Sequence, residues 1–177
     1  MSPNAFREFL QNQKQQAPAE NEIDWAGKLA TWQAAVESFI DQVKAYLSEF
    51  SDDIHIKNGT VTLSEEFLGT YEVPSLTLKL PAGRVLIKPV GTNLIGASGR
   101  IDMEGPEGKV KWVLVPESSE RPKITVQIRE DIDEPLVTPE DKPEKRVWKL
   151  ATPPPNIRLV AMTKDTFLEA VMEVANG

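Results

Sequence analysis

The sequence of 177 residues predicts an α+β fold: a twisted antiparallel sheet of about seven or eight strands, with one face covered by a long N-terminal helix and a short C-terminal helix. Large apolar residues between positions 25 and 50 recur every three or four residues, which is the period of a helix. From position 54 the pattern changes to alternation, which is typical of strands, and turn-forming residues separate the alternating runs. Because these connections are short, we expect neighbouring strands to be antiparallel.

Residues 1–21 are predicted to be a mobile N-terminal segment, and residues 22–177 to form a single domain. Ser2 and Pro3 are typical of a helix start, so a short helix through Phe6, Phe9 and Leu10 is expected. The polar run that follows has no apolar face to bury, and this is why we expect the segment to be mobile.

The long helix is predicted over residues 24–50, because one apolar seam runs along it. Its members are Trp25, Leu29, Trp32, Val36, Phe39, Val43, Tyr46 and Phe50. Such a seam usually packs on a sheet, although this spacing also permits an intermolecular coiled coil. Aromatic residues fill coiled-coil positions poorly, so we expect the seam to face the sheet.

Asn58 and Gly59 predict the first turn of the sheet, since Asn-Gly favours a two-residue hairpin and alternating runs flank it. The later strands are predicted at 76–80, 85–87, 101–103, 110–115, 124–128, 147–150 and 157–161.

Residues 129–146 contain three prolines and many charges, which indicates an extended acidic loop. A closing helix over residues 165–175 should bury Phe167, Leu168, Val171 and Met172, and Val174 is a further candidate for burial. Either Thr166, with Glu169, or Thr163 provides its N-terminal cap.

The helices leave one face of the sheet polar and solvated. The residues expected on this face are Thr77, Lys79, Asp102, Glu104, Thr125 and Gln127. Trp112 and Trp148 are expected in or near the core.

The formal net charge of −7 argues against general nucleic-acid binding, which depends on clustered positive charge. Residues 51–128 carry 9 basic and 10 acidic side chains, so a face in this region can still be basic. The lack of Cys excludes disulfides and thiolate chemistry. No apolar run is long enough to span a membrane, and residues 1–11 do not resemble a secretory signal. We therefore expect a cytoplasmic protein of bacterial type without a membrane partner.

Three patterns resemble chemical sites without completing them. His55, the single His, should point outward beside the predicted turn. The segment 91–98 has the glycine spacing of a phosphate loop, but Ala97 occupies the position of its Lys, so the glycines between Gly91 and Gly99 are interpreted as a bend between strands. Whether this segment has a function stays open at this point.

Asp102, Glu107 and Lys109 resemble the two acids and the lysine of metal-dependent nucleases. Glu107 belongs to a predicted turn, where charged residues are usually solvated. No catalytic set, cofactor site or metal site is therefore predicted.

The leading hypothesis is a non-enzymatic protein-binding or accessory protein, and the alternative is a metal-dependent hydrolase that uses Asp102, Glu107 and Lys109. If the ends of the long helix overhang the sheet, Trp25 or Phe50 stays exposed there, and these two residues are the candidates for an interaction patch. The occupant is then a protein partner or a second copy of the chain.

Overall fold

The computed structural model describes residues 2–16, 24–92, 97–121 and 145–176, with the backbone alone for residues 14–16. The helices are α1 (Pro3–Gln16), α2 (Trp25–Leu47), which a 3-10 turn (Ser48–Phe50) prolongs, and α3 (Lys164–Asn176). The strands are β1 (His55–Glu65), β2 (Gly69–Leu80), β3 (Gly83–Gly91), β4 (Gly99–Gly105), β5 (Gly108–Pro116), β6 (Arg146–Ala151) and β7 (Leu159–Ala161).

The strands of the described ranges form one seven-stranded antiparallel sheet, in which each strand pairs with the next along the chain. With the long helix α2 and the short helix α3, this confirms the predicted α+β architecture. The strand expected at 124–128 and most of the loop expected at 129–146 lie outside the described residues, as do Thr125 and Gln127.

The predicted turn at Asn58 and Gly59 is wrong, because both residues lie inside the 11-residue strand β1. Gly59 pairs with Ser75 of β2, and a Cβ atom on Gly59 would lie 2.8 Å from the Ser75 hydroxyl. The hairpin instead turns at residues 66–68 and closes at Gly69, whose φ of +75° is one that glycine adopts readily. The longer ladder between β1 and β2 therefore outweighs the local preference of Asn-Gly.

The apolar seam of α2 packs on the sheet as predicted, although its burial is complete only in the middle. Four seam members are buried, Trp32, Val36, Phe39 and Val43, and so are Ile40 and Leu47, which adjoin the seam. Phe39 contacts the rings of Trp112 and Trp148 edge-on, at centroid distances of 5.9 and 5.2 Å. The Trp148 indole donates a hydrogen bond to the Ala35 carbonyl, which joins β6 to α2. Both tryptophans belong to the core, as expected.

Helix α3 covers the same face and buries Phe167 and Val171. Met172, in contrast, is 65% exposed, so its predicted burial is wrong. Val174, the further candidate, is buried, and Ala170 is buried beside it, because the face of α3 against the sheet is turned toward these positions. Thr163 provides the cap: its hydroxyl accepts a hydrogen bond from the Thr166 amide.

Helix α1 is longer than the sequence indicates, and its apolar side chains are about half exposed. The exposed fractions are 51% for Phe6, 51% for Phe9 and 41% for Leu10. Mobility of residues 1–21 stays a prediction. Among the helices of the described ranges, none is long and apolar enough to cross a membrane.

The sheet face opposite α2 and α3 is polar, as expected, and it exposes Lys79 and Glu104. His55 is also exposed, between the partly buried Ile54 and Ile56. Asp102 differs from expectation, since it is 9% exposed. Its carboxylate is enclosed by cationic side chains of its own strand and of β5, which exclude water from it.

Candidate functional site

Trp25 and Phe50, the predicted interaction patch, lie at the two ends of the α2 segment. At 1.5 Å per residue, the 25 steps between them span about 37 Å, so they cannot form one contact surface. Each side chain is partly buried. The structure therefore divides the predicted patch into two separate places, each beside its own cavity.

An aromatic patch formed by Trp25 and Phe67 stands at the N-terminal end of α2. The two rings stack with their centroids 4.8 Å apart and an interplanar angle of 9°. Lys28 lies over the Trp25 ring at 5.1 Å, a cation–π contact that helps to fix the ring. Phe67 is 63% exposed, because the β1–β2 turn carries it away from the core.

This aromatic patch borders an open cavity of about 800 Å³, which we call the N-terminal cavity. Charged side chains of both signs surround it, among them Asp24, Lys28 and Arg146. The apolar part of the lining comes from Trp25, Trp32, Phe67, Leu68 and Leu114. The cavity thus combines exposed aromatic surface with a charged rim, a composition typical of binding surfaces.

A hydrogen-bond network fixes one wall of the N-terminal cavity. The Glu65 carboxylate accepts hydrogen bonds from the Tyr71 hydroxyl and from the amide and hydroxyl of Thr92, the latter two at 2.7 and 2.9 Å. Burial, and then the adjacent Glu65 carboxylate, raise the pKa of Tyr71 well above its usual value. Tyr71 therefore stays a neutral donor, and the network ties the β1–β2 hairpin to the end of β3.

The glycine-rich segment after β3 begins as a bend. The register with β4 shifts between Pro89 and Gly91, and the φ of Gly91 is +142°. A Cβ atom on Gly91 would lie 2.9 Å from a Glu65 carboxylate oxygen, and one on Gly99 would lie 2.1 Å from the Trp32 ring. These two glycines thus allow close packing. Residues 93–96 lie outside the described residues.

Phe50 lies at the other end, beside an apolar groove of about 530 Å³ that we call the C-terminal groove. The Lys164 ammonium stands 5.8 Å from the centre of the Phe50 ring and forms an ion pair with Glu49. The groove lining is largely apolar and includes Leu47, Phe50, Ile54, Leu80, Leu168 and Met172.

Asp102 and Lys109 lie together, with Lys109 Nζ 3.4 Å from Asp102 Oδ2. Arg100 Nε is 2.9 Å from the other carboxylate oxygen, so both oxygens already face cations. Glu107 lies in the turn between β4 and β5, where its amide donates to the Val174 carbonyl. Within the described ranges, no group of three or more His, Asp or Glu side chains is arranged to hold a metal ion.

Comparison of the chain with protein-family models, with curated proteins and with solved structures finds no match. An inference about function therefore depends on the chemistry of the protein's own surfaces.

Sequence reasoning missed Phe67 and the Glu65 network. Both belong to the β1–β2 hairpin, whose turn was predicted at Asn58 and Gly59. The available signal was a phenylalanine directly before Leu68 and Gly69, outside any alternating run. An apolar residue in a turn cannot enter the core easily, and it is then a candidate for contact with a partner.

Proposed function

We propose that this protein is a non-enzymatic protein-binding module and that the aromatic patch of Trp25 and Phe67 contacts the partner. The main support is the stacked pair of Trp25 and Phe67, in which Phe67 is 63% exposed at the border of the N-terminal cavity. Exposed aromatic side chains of this size supply much of the binding free energy in protein interfaces.

The preorganisation of the aromatic patch supports the proposal. Phe67 stacks on Trp25, and Lys28 lies over the same Trp25 ring. Because these side chains are already ordered, they would lose little conformational entropy when a partner binds. The hairpin that carries Phe67 is tied to β3 through Glu65 and Thr92. A partner would therefore meet a surface that is already formed.

Quantitative capture from an extract of the source cell tests the proposal with Phe67→Ala and a matched control, Met172→Ala. Met172 is similarly exposed, at 65%, but lines the C-terminal groove. Because both side chains are exposed, each substitution should change the free energy of unfolding by about 1 kcal/mol or less. We expect one captured protein to be lost with Phe67→Ala and retained with Met172→Ala. Capture that is the same with both variants contradicts the proposal.

Self-association through the same patch is the other outcome of this hypothesis. Light scattering distinguishes it, since a homodimer that Trp25→Ala or Phe67→Ala converts to a monomer assigns the patch to a second copy of the chain.

A metal-dependent hydrolase using Asp102, Glu107 and Lys109 is the alternative hypothesis, and it has less support. A divalent cation at Asp102 would have to replace contacts to Arg100 and Lys109 that already neutralise the carboxylate. Calorimetry with Mg²⁺ or Mn²⁺ tests the alternative. Binding that Asp102→Asn abolishes, together with a raised melting temperature, would favour the hydrolase.

A further inference from the structure

The sheet face opposite the helices collects positive charge, although the chain as a whole is acidic. We call it the basic face, and we define it by strand alternation and by the register from β1 to β5. It carries seven basic side chains against three carboxylates: Asp102, Glu104 and, near the hairpin end of β2, Glu72. The basic side chains are Lys57, Lys79, Arg84, Lys88, Arg100, Lys109 and Lys111.

Asp102 contributes little negative potential to this face. It lies between Lys88 of β3 and Lys111 of β5 in the register, and it is already paired with Arg100 and Lys109. Because neighbouring strands are about 5 Å apart, Lys88 and Lys111 stand about 10 Å from each other across the neutralised carboxylate.

The exposed cations of the basic face are available to a ligand. Among the residues that the structure describes, Lys88 and Lys111 form no ion pair, and both are exposed. Like charges at this density repel one another, and an acidic protein that separates them onto one face produces a strong local field. Such a field attracts an anionic partner.

We infer that the basic face binds an acidic segment of another protein. The cations would pair with its carboxylates, while Leu86 and Val113, both partly exposed among them, would contact its apolar side chains. This surface lies on the other side of the sheet from the aromatic patch, so the inference does not depend on the proposed function.

The composition of the basic face favours an acidic protein over a nucleic acid. Its exposed cations are five lysines and one arginine, whereas bidentate phosphate recognition favours arginine. In the described part of this face, no Phe, Tyr or Trp side chain offers a platform for stacking bases. Leu86 and Val113 also have no apolar counterpart in a phosphate backbone.

Fluorescence anisotropy with two labelled probes tests the inference: a peptide of about 12 residues with the repeat Glu-Glu-Leu, and a DNA duplex of about 16 base pairs. The variant Lys88→Gln/Lys111→Gln removes two cations of the basic face. The matched control, Arg7→Gln/Lys44→Gln, removes two cations from α1 and α2. Circular dichroism verifies that both variants are folded.

We expect the peptide to bind the wild-type protein and the control with affinities within about twofold of each other, and the Lys88→Gln/Lys111→Gln variant about tenfold more weakly. A peptide with Gln in place of Glu should not bind. Equal weakening in both variants would show a general effect of net charge and would overturn the inference. Tighter, Lys88-dependent binding of the DNA would assign the face to nucleic acid instead.

Two further outcomes would also overturn the inference that the basic face binds another protein. Concentration-dependent self-association that requires Lys88 and Lys111 would assign the face to a second copy of the chain. Peptide binding that appears only after the acidic side chains of residues 130–144 are neutralised would assign it to the chain's own acidic run. A failure of any of these tests leaves the capture experiment with Phe67→Ala unaffected.

Discussion

Trp32 is the side chain on which the packing between α2 and the sheet depends most. It is 2% exposed, and its ring lies 6.0 Å from that of Trp148. A buried Trp removes about 200 Å² of surface from water, and at about 25 cal/mol per Å² this is worth about 5 kcal/mol. Since the alanine methyl group retains part of this, Trp32→Ala should lower the free energy of unfolding by about 3–5 kcal/mol.

Gly99 makes this prediction more specific, because a Cβ atom there would lie 2.1 Å from the Trp32 ring. The Trp32 ring cannot move far from the added methyl group, because Trp148 packs against it. Gly99→Ala alone should therefore lower the free energy of unfolding by about 1–3 kcal/mol. Without the Trp32 ring the three nearest obstacles to the methyl group are removed, and the double variant Trp32→Ala/Gly99→Ala should be at least as stable as Trp32→Ala. Gly108→Ala is the control, since nothing lies within 4 Å of its added Cβ.

Urea denaturation followed by circular dichroism measures all four variants. The reasoning is refuted if Gly99→Ala costs the same with and without the Trp32 ring. It is also refuted if Trp32→Ala costs less than about 1 kcal/mol, because the seam would then not be buried.

Three other substitutions test separate parts of the structure. Gly105→Ala should cost about 1–3 kcal/mol, because its Cβ would lie 2.3 Å from a backbone oxygen of α3; an unchanged denaturation midpoint would mean that α3 sits further from β4. Asp102→Asn should cost about 1–3 kcal/mol by weakening two ion pairs, and a neutral result in urea denaturation would show that these pairs contribute nothing. The free energy of unfolding should fall as pH rises above about 10, because the unfolded chain loses the Tyr71 proton before the folded chain does; Tyr71→Phe should flatten this part of the profile, and a parallel profile would contradict the raised pKa.

The fold could be predicted largely because two sequence patterns are strong: the helical spacing of apolar residues over positions 25–50 and the strand alternation that follows from position 54. The seam of α2 runs through seven turns with large residues, and no strand pattern accommodates that spacing. The ends of the seam could not be predicted, because burial there depends on how far the sheet reaches. Trp25 is covered by Phe67 and Lys28, and Phe50 is partly buried at the border of the C-terminal groove.

The turn between β1 and β2 shows the limit of local signals. Asn58 and Gly59 favour a turn, but pairing over residues 55–65 and 69–79 forms a much longer ladder than two short runs would. The stabilisation from the additional cross-strand pairs is larger than the local preference of Asn58 and Gly59 for a turn. Because Phe67 and Glu65 lie in the true turn region, the error in the turn also concealed the aromatic patch.

The sequence allowed a basic face within residues 51–128, but the balance of charge along the chain did not show where it lies. Residues 51–128 carry almost equal numbers of basic and acidic side chains, but a strand sends alternate residues to opposite faces, so only the register shows where they meet. Most of the acidic residues of this region lie in turns, in loops or at the hairpin end, as Glu66 and Glu107 do. Seven of the nine basic residues lie on one face of the strands. A net charge near zero in this region therefore coexists with a locally basic surface, which the sum of charges does not show.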